Sequence, residues 1–335
     1  MSLPQYDWLI RVGSKASAGG GHVFRSQVLA ECLKKQSQKC LIVLDEDTLP
    51  CWADFFRDHD FDVIFGGGLP VPKSGTIIDR YELSVNELQA LSEQSPLMVL
   101  FDDLNAHPDW AHVLVNGAPG AIDETSSAQV GLIGNTYSVV NPRFCRTEAY
   151  VVAKDVSRII VTFGMVDSKN ATCKTIEILS QLSMQKIQIF VVMSRSAKHY
   201  EQVVEMVSRL ANAELVVDCD DMSVLMLGSD LVIGGGGVSL LERMALGVPS
   251  ITVCLADNQV ANVRGSASMG GTLFAGVIGS LDGAKLASQV ERLMADDKGR
   301  QMMSNKARLI IDGDGAKRIA DRLISITNNN KSNGE

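Results

Sequence analysis

The chain of 335 residues is longer than one ordinary hydrophobic core organises, and its length predicts two domains of about 150 residues each. Hydrophobic residues make up 46% and charged residues 21%, a balance that excludes a largely disordered chain. The formal net charge of −8 argues against nucleic acid or an anionic membrane as a partner, because both require clustered lysine and arginine.

Short apolar runs alternate along the chain with stretches of helical periodicity. The predicted strands span residues 8–13, 40–44, 63–65, 76–78, 97–101, 113–115, 158–163, 187–193, 214–217, 231–233, 250–253 and 272–275. The predicted helices span residues 22–36, 84–94, 170–183, 198–211, 238–246, 258–268 and 281–296. This alternation of β-branched strands with helices predicts an α/β protein whose parallel sheets are covered by helices.

A segment rich in glycine and proline interrupts this alternation between residues 117 and 155, and a new strand begins at Arg158. We therefore predict an N-terminal domain over residues 1–150 and a C-terminal domain over residues 151–327. The last segment, residues 328–335, is polar and has no capping signal, so we expect a disordered tail.

The seven cysteines are scattered and form no Cys-x-x-Cys pair. We therefore expect neither a disulfide framework nor a zinc site. We expect a cytoplasmic location. No stretch reaches the ~20 apolar residues of a membrane span, and no signal peptide opens the chain. We expect neither a metal nor a cofactor, and the oligomeric state stays open.

A first glycine-rich loop follows the first predicted strand and leads into a helix through Gly19, Gly20, Gly21 and His22. Glycine allows close backbone approach to a ligand, and the start of a helix offers free N–H groups to an anion. Histidine at this position suits acid–base chemistry because its reference pKa lies near neutral pH. A tight turn with a packing histidine explains the same residues equally well.

A dinucleotide-binding site is an alternative for this loop. Gly19 and Gly21 follow a strand, and Asp45 ends the next strand, where a ribose-binding acid would stand. However, Phe24 occupies the position of the third glycine, and the loop over residues 13–21 is long for that turn. The dinucleotide interpretation is therefore the weaker one.

Polar groups also follow two apolar strands later in the first half of the chain. Asp79 and Tyr81 follow one strand, and Asp102 and Asp103 follow the next. Strand ends are favoured positions for site residues. Paired aspartates can bind a metal or a sugar hydroxyl, although adjacent acids at a strand end more often serve turns and caps.

The second half of the chain has two turns of the same kind. The first contains Gly164, Asp167 and Asn170, and could direct backbone N–H groups towards a diphosphate, although Asp167 or Ser168 could instead cap the following helix. The glycines of the second turn are a stronger signal of an anion site.

Four consecutive glycines, at positions 234–237, follow a buried strand and precede a helix. Ser239 could cap that helix and donate to a phosphate, and Glu242, one turn further on, could accept from ribose hydroxyls. The Ser-x-x-Glu spacing is also that of a capping box, which is the structural alternative. Asn258 and Gln259 follow the next strand, where they would meet a ligand or start a helix.

Taken together, the ordered motifs resemble the UDP-sugar hydrolase of pseudaminic acid biosynthesis, a family related to the GT-B glycosyltransferases such as MurG. The similarity runs in the family's order from residue 8 to about residue 275 and rests on residues 14–30, 78–81, 101–103, 163–170, 234–247 and 257–259. It implies a GT-B-like fold in which two Rossmann-like domains face a central cleft.

The resemblance also implies a reaction. The substrate would be UDP-2,4-diacetamido-2,4,6-trideoxy-β-L-altropyranose, hydrolysed at its anomeric C–O bond to UDP and free sugar without a metal. His22 would correspond to the base that activates water, Asp79 and Tyr81 would lie near the sugar, and Glu242 would hold the ribose. The residues expected to bind substrate or nucleotide are Gly19, Gly20, Gly21, Arg25, Gly164, Asp167, Asn170, Gly235, Gly236, Gly237, Ser239, Glu242, Asn258 and Gln259.

The chain departs from the family at Met165 and Val166, where the family has a second glycine and a serine or threonine. This departure removes a hydroxyl from the expected phosphate region and motivates a non-catalytic nucleotide-sugar binder as one alternative. A GT-B glycosyltransferase that uses an acceptor other than water is another alternative. A dehydrogenase ranks last.

Overall fold

A computed structural model describes residues 5–15, 20–66, 69–81, 84–106, 108–127, 129–145 and 150–332 of the chain. The chain forms two compact units. The first comprises Met1–Asn141 together with Asp314–Glu335, and the second comprises Pro142–Gly313. Each unit is built on its own parallel sheet.

The sheet of the first unit has seven strands. They are β1 (Trp8–Val12), β2 (Cys40–Leu44), β3 (Asp62–Phe65), β4 (Gly75–Asp79), β5 (Met98–Phe101), β6 (Val113–Asn116) and β7 (Val130–Ile133). Their order across the sheet is β3-β2-β1-β4-β5-β6-β7, and all neighbours are parallel. The helices between them are α1 (Gly21–Lys34), α2 (Pro50–Asp58) and α3 (Val85–Gln94).

The sheet of the second unit has six strands. They are β8 (Arg158–Thr162), β9 (Gln188–Met193), β10 (Ala213–Val217), β11 (Leu231–Gly235), β12 (Ser250–Cys254) and β13 (Leu273–Val277), in the order β10-β9-β8-β11-β12-β13. The helices are α4 (Ala171–Ser180), α5 (Tyr200–Ser208), α6 (Met222–Leu227), α7 (Val238–Leu246), α8 (Val260–Ser268), α9 (Gly283–Ala295) and α10 (Asp297–Ile310).

Both sheets are covered on their two faces, which explains why their central strands are apolar along their whole length. Every residue of β1, β2, β4, β11 and β12 is buried. In each sheet the strand order reverses beside the first strand, between β1 and β4 and between β8 and β11. This is the doubly wound order, in which ligands bind beyond the carboxyl ends of the two strands at the reversal. The predicted α/β class with two Rossmann-like sheets is therefore correct.

The last helix corrects the predicted domain boundaries. Helix α11 (Gly315–Ser332) follows the second unit in sequence but buries Ala316, Ile319, Ala320 and Leu323 in the core of the first. Those positions form one helical face, which is stable only when it is covered. The N-terminal segment of the first unit therefore ends at Asn141 rather than near residue 150. The segment from Asp314 onward also belongs to this unit.

The expected disordered tail also differs from the structure. Helix α11 continues through residues 328–332, and residues 333–335 lie outside the described part of the chain. Side-chain pairing helps to hold the helix on the first unit, because the Gln36 amide donates to Asp321 Oδ1 at 2.7 Å. Four helices and one strand had no counterpart among the predicted elements, namely α2, α6, α10, α11 and β7.

Candidate functional site

The first candidate site lies where the strand order of the first sheet reverses. Val12 at the end of β1 pairs in register with Asp79 at the end of β4, so the segments after both strands start at the same sheet edge. Helix α1 begins after β1 with Gly20 as its N-cap and Gly21 and His22 in its first turn. Gly19 lies outside the described residues.

One face of α1 is directed at the carboxylate of Asp79. His22, Arg25 and Ser26 stand three and four residues apart, a spacing that places them on one side of a helix. His22 Nδ1 lies 2.6 Å from Asp79 Oδ1, while Arg25 Nε and Ser26 Oγ donate to Asp79 Oδ2 at 2.9 and 3.1 Å. Asp79 is completely buried and His22 is 6% exposed.

The environment of Asp79 determines its ionisation. Burial alone would raise the pKa of this carboxyl, but the attraction of Arg25 and His22, together with their hydrogen bonds, outweighs burial and holds the pKa well below its usual range. Asp79 is therefore an ionised acceptor at neutral pH. A carboxylate can only accept, so His22 Nδ1 donates the proton in this contact, and Nε2 is the ring nitrogen that does not face Asp79.

This pairing gives His22 the arrangement of a general base. A buried carboxylate on one ring nitrogen fixes the tautomer and stabilises the imidazolium that forms when the other nitrogen takes a proton. The ring of Tyr81 meets the His22 ring edge-on, with the centroids 4.5 Å apart and the planes at 81°. The ring orientation of His22 is thus set from two sides.

Asp103 joins this cluster, although it was not among the predicted site residues. Arg25 Nη1 and Nη2 donate to Asp103 Oδ1 and Oδ2 at 3.0 and 2.8 Å, and the Tyr81 hydroxyl donates to Oδ2 at 3.2 Å. The guanidinium also lies over the Phe101 ring, 4.4 Å from its centroid. The sequence did offer a signal for Asp103, because it follows the end of a predicted strand, as Asp79 does.

Charge is closely balanced within the cluster. Burial alone would lower the pKa of Arg25, but Asp103 and Asp79 outweigh burial and raise it well above its ordinary value. Partial burial and then the charge of Asp103 raise the pKa of the Tyr81 hydroxyl, which stays protonated at neutral pH. Arg25 is therefore a fixed cation between two carboxylates.

Two expected roles change as a result. Asp79 was expected near the sugar, but both its oxygens accept from α1 and none of its surface is exposed. Arg25 was expected to bind the substrate, but its guanidinium is engaged by Asp79 and Asp103. Asp79 instead holds the His22 ring, and Arg25 joins Asp79 to Asp103. Tyr81 donates to Asp103 and keeps 46% of its surface exposed.

Asp45, the acidic residue that a dinucleotide-binding site would need for the ribose, is engaged within the protein. Asp45 is 4% exposed, and its carboxylate accepts from the Ser14 backbone at 2.8 Å and pairs with Arg80 at 3.0 Å. Asp102 is likewise a turn residue, because its Oδ1 accepts from the Ala106 backbone at 2.8 Å. Neither carboxylate is placed for a ribose hydroxyl.

The turn after β8 in the second unit contains a helix cap. The Asp167 oxygens accept from the backbone N–H groups of Ala171 and Thr172 at 2.8 and 3.0 Å, and Asp167 is buried. The structural alternative for Asp167 is therefore correct, and its predicted contact with the nucleotide is not available to the side chain. Asn170 donates to Gln202 at 3.0 Å.

This turn exposes its own apolar residues. Gly164 adopts a φ of +81°, a conformation that glycine tolerates best, and Met165 and Val166 are 48% and 40% exposed. The two positions that depart from the resembled family are therefore at the surface of the turn, at the carboxyl end of a central strand.

The glycine loop after β11 lies at the matching position beside β8. Gly235 ends β11, Gly236 is buried and Gly237 is the N-cap of α7. No side chain in the described part of the chain caps this helix. A Cβ on Gly236 would meet Val263 Cγ2 at 2.5 Å, so this position requires glycine. Gln259 packs against the loop, and its Oε1 accepts from the Leu255 backbone at 2.9 Å. The uncapped start of α7 suits an anion.

Ser239 and Glu242, which follow this loop, do not form a capping box. Ser239 does not cap α7, because its hydroxyl accepts from Arg243 Nη1 at 2.8 Å. The predicted cap and the capping box with Glu242 are therefore wrong. Among the described residues, the Glu242 carboxylate accepts no hydrogen bond, and burial raises its pKa to about 7 against a smaller opposing effect of Arg243. Asn258 is exposed beyond β12.

The two sheets and the strand-end sites define a fold class. The fold matches that of MurG from Acinetobacter baumannii with a TM-score of 0.66 and 13% identity, over 96% of this chain and 100% of that one. It also matches the UDP-GlcNAc 2-epimerase from Neisseria meningitidis, solved with UDP-GlcNAc, with a TM-score of 0.60 and 10% identity, over 95% and 100% of the two chains. The predicted GT-B-like fold is confirmed.

Sequence comparison adds a more specific relationship. Residues 159–323 match the family model of the glycosyltransferase family 28 C-terminal domain. The chain is 26% identical over 329 residues to the spore coat polysaccharide biosynthesis protein SpsG of Bacillus subtilis (strain 168), covering 90% of this chain and 93% of that protein. The narrower resemblance to an altropyranose hydrolase stays a prediction.

No helix among the described residues is long and apolar enough to cross a membrane. The described part of the chain also holds no group of three or more histidine, cysteine, aspartate or glutamate residues that could hold a metal ion.

Proposed function

We propose that this chain cleaves the anomeric C–O bond of a nucleotide sugar and transfers the glycosyl group to water. The observation that carries the proposal is the contact of 2.6 Å between His22 Nδ1 and the buried, ionised Asp79. The name of the relative SpsG supports a place in polysaccharide biosynthesis, and the UDP-GlcNAc bound by the epimerase of the same fold supports a UDP-linked sugar.

The proposed step is a displacement at the anomeric carbon. His22 Nε2 takes a proton from water while the water oxygen forms a bond to that carbon. The bond from the carbon to the diphosphate oxygen breaks, and the electron pair leaves with UDP. The imidazolium is stabilised by Asp79, and a positioned base of this kind contributes on the order of 10²–10⁴-fold to the rate.

The proposal assigns the nucleotide to the second unit. The uncapped start of α7, after the glycine loop, offers backbone N–H groups to the departing diphosphate, which makes UDP a better leaving group. Glu242 would accept from the ribose hydroxyls. The sugar to test first is the 2,4-diacetamido-2,4,6-trideoxy-β-L-altropyranose of the resembled hydrolase family.

A glycosyltransferase is the second candidate, favoured by the match of residues 159–323 to a glycosyltransferase domain. In that case His22 would deprotonate a hydroxyl of an acceptor, and the sugar would pass to that oxygen. The two candidates share the site and differ only in the attacking oxygen, so one assay separates them.

The experiment measures UDP release from a panel of UDP- and CMP-sugars, with and without acceptors. We expect UDP and free sugar from one UDP-sugar in the absence of an acceptor. His22→Ala is expected to lose about 10²–10⁴-fold in kcat. The matched control is His59→Ala, since His59 lies in the same unit and its ring nitrogen Nδ1 bonds to the Phe55 carbonyl at 2.8 Å rather than to a carboxylate.

Each other outcome has a definite meaning. UDP that appears only when an acceptor is present identifies a transferase. Binding of UDP-sugars with no turnover under either condition identifies a binding protein. Undiminished turnover by a folded His22→Ala protein removes His22 from the mechanism.

A further inference from the structure

Arg243 of α7 lies directly beneath the glycine loop at residues 234–237. Its side chain is completely buried and runs back towards the start of its own helix, the direction in which helical side chains point. Nη2 donates to the Gly235 carbonyl at 3.0 Å, and Nη1 donates to Ser239 Oγ at 2.8 Å. A Cβ on Gly234 would stand 2.8 Å from Nη1. The guanidinium and the loop are therefore in contact.

The charge of Arg243 has no ion-pair partner among the described residues. Its third acceptor, Thr252 Oγ1 at 3.2 Å, is neutral like the other two. The buried Nε has no hydrogen bond to any residue that the structure describes. Glu242 is adjacent in sequence but forms no ion pair with it. Burial lowers the pKa of Arg243 to about 10, so the side chain remains a cation at neutral pH. Arg25, by contrast, lies between two carboxylates.

Another buried arginine in the same unit, Arg300, also has an Nε without a hydrogen bond among the described residues, but its guanidinium adjoins a helix end of the opposite sign. Arg300 is also completely buried, and its Nη1 donates to the carbonyls of Leu293 and Met294 in the last turn of α9. The carboxyl end of a helix carries partial negative charge, which favours a cation there. The guanidinium of Arg243 instead adjoins the amino end of α7, which carries partial positive charge.

Two positive contributions thus coincide at one loop, and the adjacent Glu242 carboxyl attracts the guanidinium without forming an ion pair with it. A buried cation beside the positive end of a helix is unfavourable unless an anion completes the site. The loop presents its backbone N–H groups at the same place, beyond the carboxyl end of a strand at the sheet reversal. A ligand with more than one negative charge would balance both contributions.

We infer that Arg243 is the positioning residue of the diphosphate site: its buried charge attracts the phosphates of a nucleoside diphosphate, and its hydrogen bond to Gly235 holds the loop that binds them. Since Arg243 has no exposed surface, it acts through the loop and through its field rather than by touching the ligand. The inference rests on the proposed function and names which side chain completes its anion site.

The test compares binding of uridine, UMP and UDP by calorimetry to the full chain and three variants. In Arg243→Gln we expect UDP affinity to fall by roughly 10- to 100-fold, UMP affinity to fall less, and uridine affinity to stay unchanged. Arg243→Lys keeps the charge but not the planar fork, so its UDP affinity should lie between those of the wild type and the glutamine variant. Arg300→Gln is the matched control and should not change the ratio of UDP to uridine affinity.

Dependence on phosphate number separates positioning of phosphates from general damage. If Arg243→Gln weakens uridine and UDP equally, or leaves UDP binding unchanged, the inference is overturned. If the glutamine variant does not fold, Arg243→Lys decides by the same ratio. A wild-type chain that binds UDP without hydrolysing any UDP-sugar contradicts the proposed hydrolysis and leaves this inference standing. A wild-type chain that binds no uridine nucleotide overturns both.

Discussion

His22 depends chemically on Asp79, which is 57 positions away in the sequence and 2.6 Å away in space. The carboxylate sets the tautomer, Tyr81 limits the ring's rotation, and Arg25 keeps the carboxylate ionised. Each of these neighbours is held by Asp103 or by α1 itself. At the scale of single residues, the candidate base is therefore one member of a cluster in which every charge has a partner.

Asp79→Asn, compared with Asp103→Asn, should separate loss of tautomer control from loss of charge in this cluster. An amide can donate to Nδ1, which places the proton on Nε2 and removes the base. We expect turnover to fall on the order of 10²–10⁴-fold, measured as kcat with the nucleotide sugar that the wild type hydrolyses. Asp103→Asn is the matched control, because Asp103 accepts from Arg25 and Tyr81 but not from His22. An equal loss in both variants would contradict the role of Asp79.

Glu242 should make stability depend on pH. Its pKa is raised from 4.5 to about 7 in the folded chain, so the folded state holds a proton that the unfolded state has lost between these values. The stabilisation is complete below about pH 4.5 and is lost as pH rises through about 7. Glu242→Gln cannot ionise, so its free energy of unfolding should exceed that of the wild type at pH 8 and match it near pH 4.5.

Urea unfolding of both proteins across that pH range measures the difference. Glu291→Gln in α9 is the control, because Glu291 is exposed and its replacement should shift stability little and by the same amount at every pH. A constant difference between Glu242→Gln and the wild type would show that Glu242 does not titrate in this range.

At the scale of elements, similar turns after parallel strands serve different purposes. The turn after β8 uses Asp167 to cap α4, whereas the loop after β11 leaves α7 uncapped and places Arg243 beneath it. A helix start can satisfy its N–H groups either with its own side chains or with a ligand. The difference between the two turns supports the proposal that the anion binds at the start of α7.

Asp167→Ala should therefore behave as the loss of a cap. We expect a loss of about 1 kcal/mol in the free energy of unfolding and no change in UDP affinity. The matched control is Asp282→Ala, because Asp282 caps α9 through the backbone N–H groups of Ala284 and Lys285. If UDP affinity falls in Asp167→Ala but not in Asp282→Ala, Asp167 takes part in nucleotide binding.

At the scale of the whole molecule, the two units are not two consecutive halves of the sequence. The chain leaves the first unit after Asn141 and returns to it at Asp314, and α11 then completes the first core. The stability of the N-terminal sheet thus depends on residues at the other end of the chain.

Leu323→Ala should test this dependence. Leu323 is completely buried in the first core, and its truncation should destabilise that unit by about 2–5 kcal/mol. Hydrogen exchange followed by mass spectrometry should show faster exchange in β1–β7 and unchanged exchange in β8–β13. Leu286→Ala, at an equally buried position of the second core, should give the opposite pattern. Faster exchange in β8–β13 alone for Leu323→Ala would contradict the assignment of α11.

The sequence by itself determined the α/β class, most of the strands, and the strand-end positions of the glycine turns, His22 and Asp79. These features follow from local patterns, because periodicity and glycine content act over a few neighbouring residues. Elements with weak local patterns were not predicted. One example is β7, which is only partly buried.

Only the tertiary structure decided which of the polar residues work together. It shows that His22 contacts Asp79, that Asp103 belongs to the same cluster and that Asp167 caps a helix. It also shows that Arg243 lies beneath a glycine loop and that α11 packs in the first unit. Each of these outcomes depends on which atoms occupy the space around a side chain. Residues far apart in sequence fill that space, so local patterns alone leave the choice between a cap, an ion pair and a binding residue open.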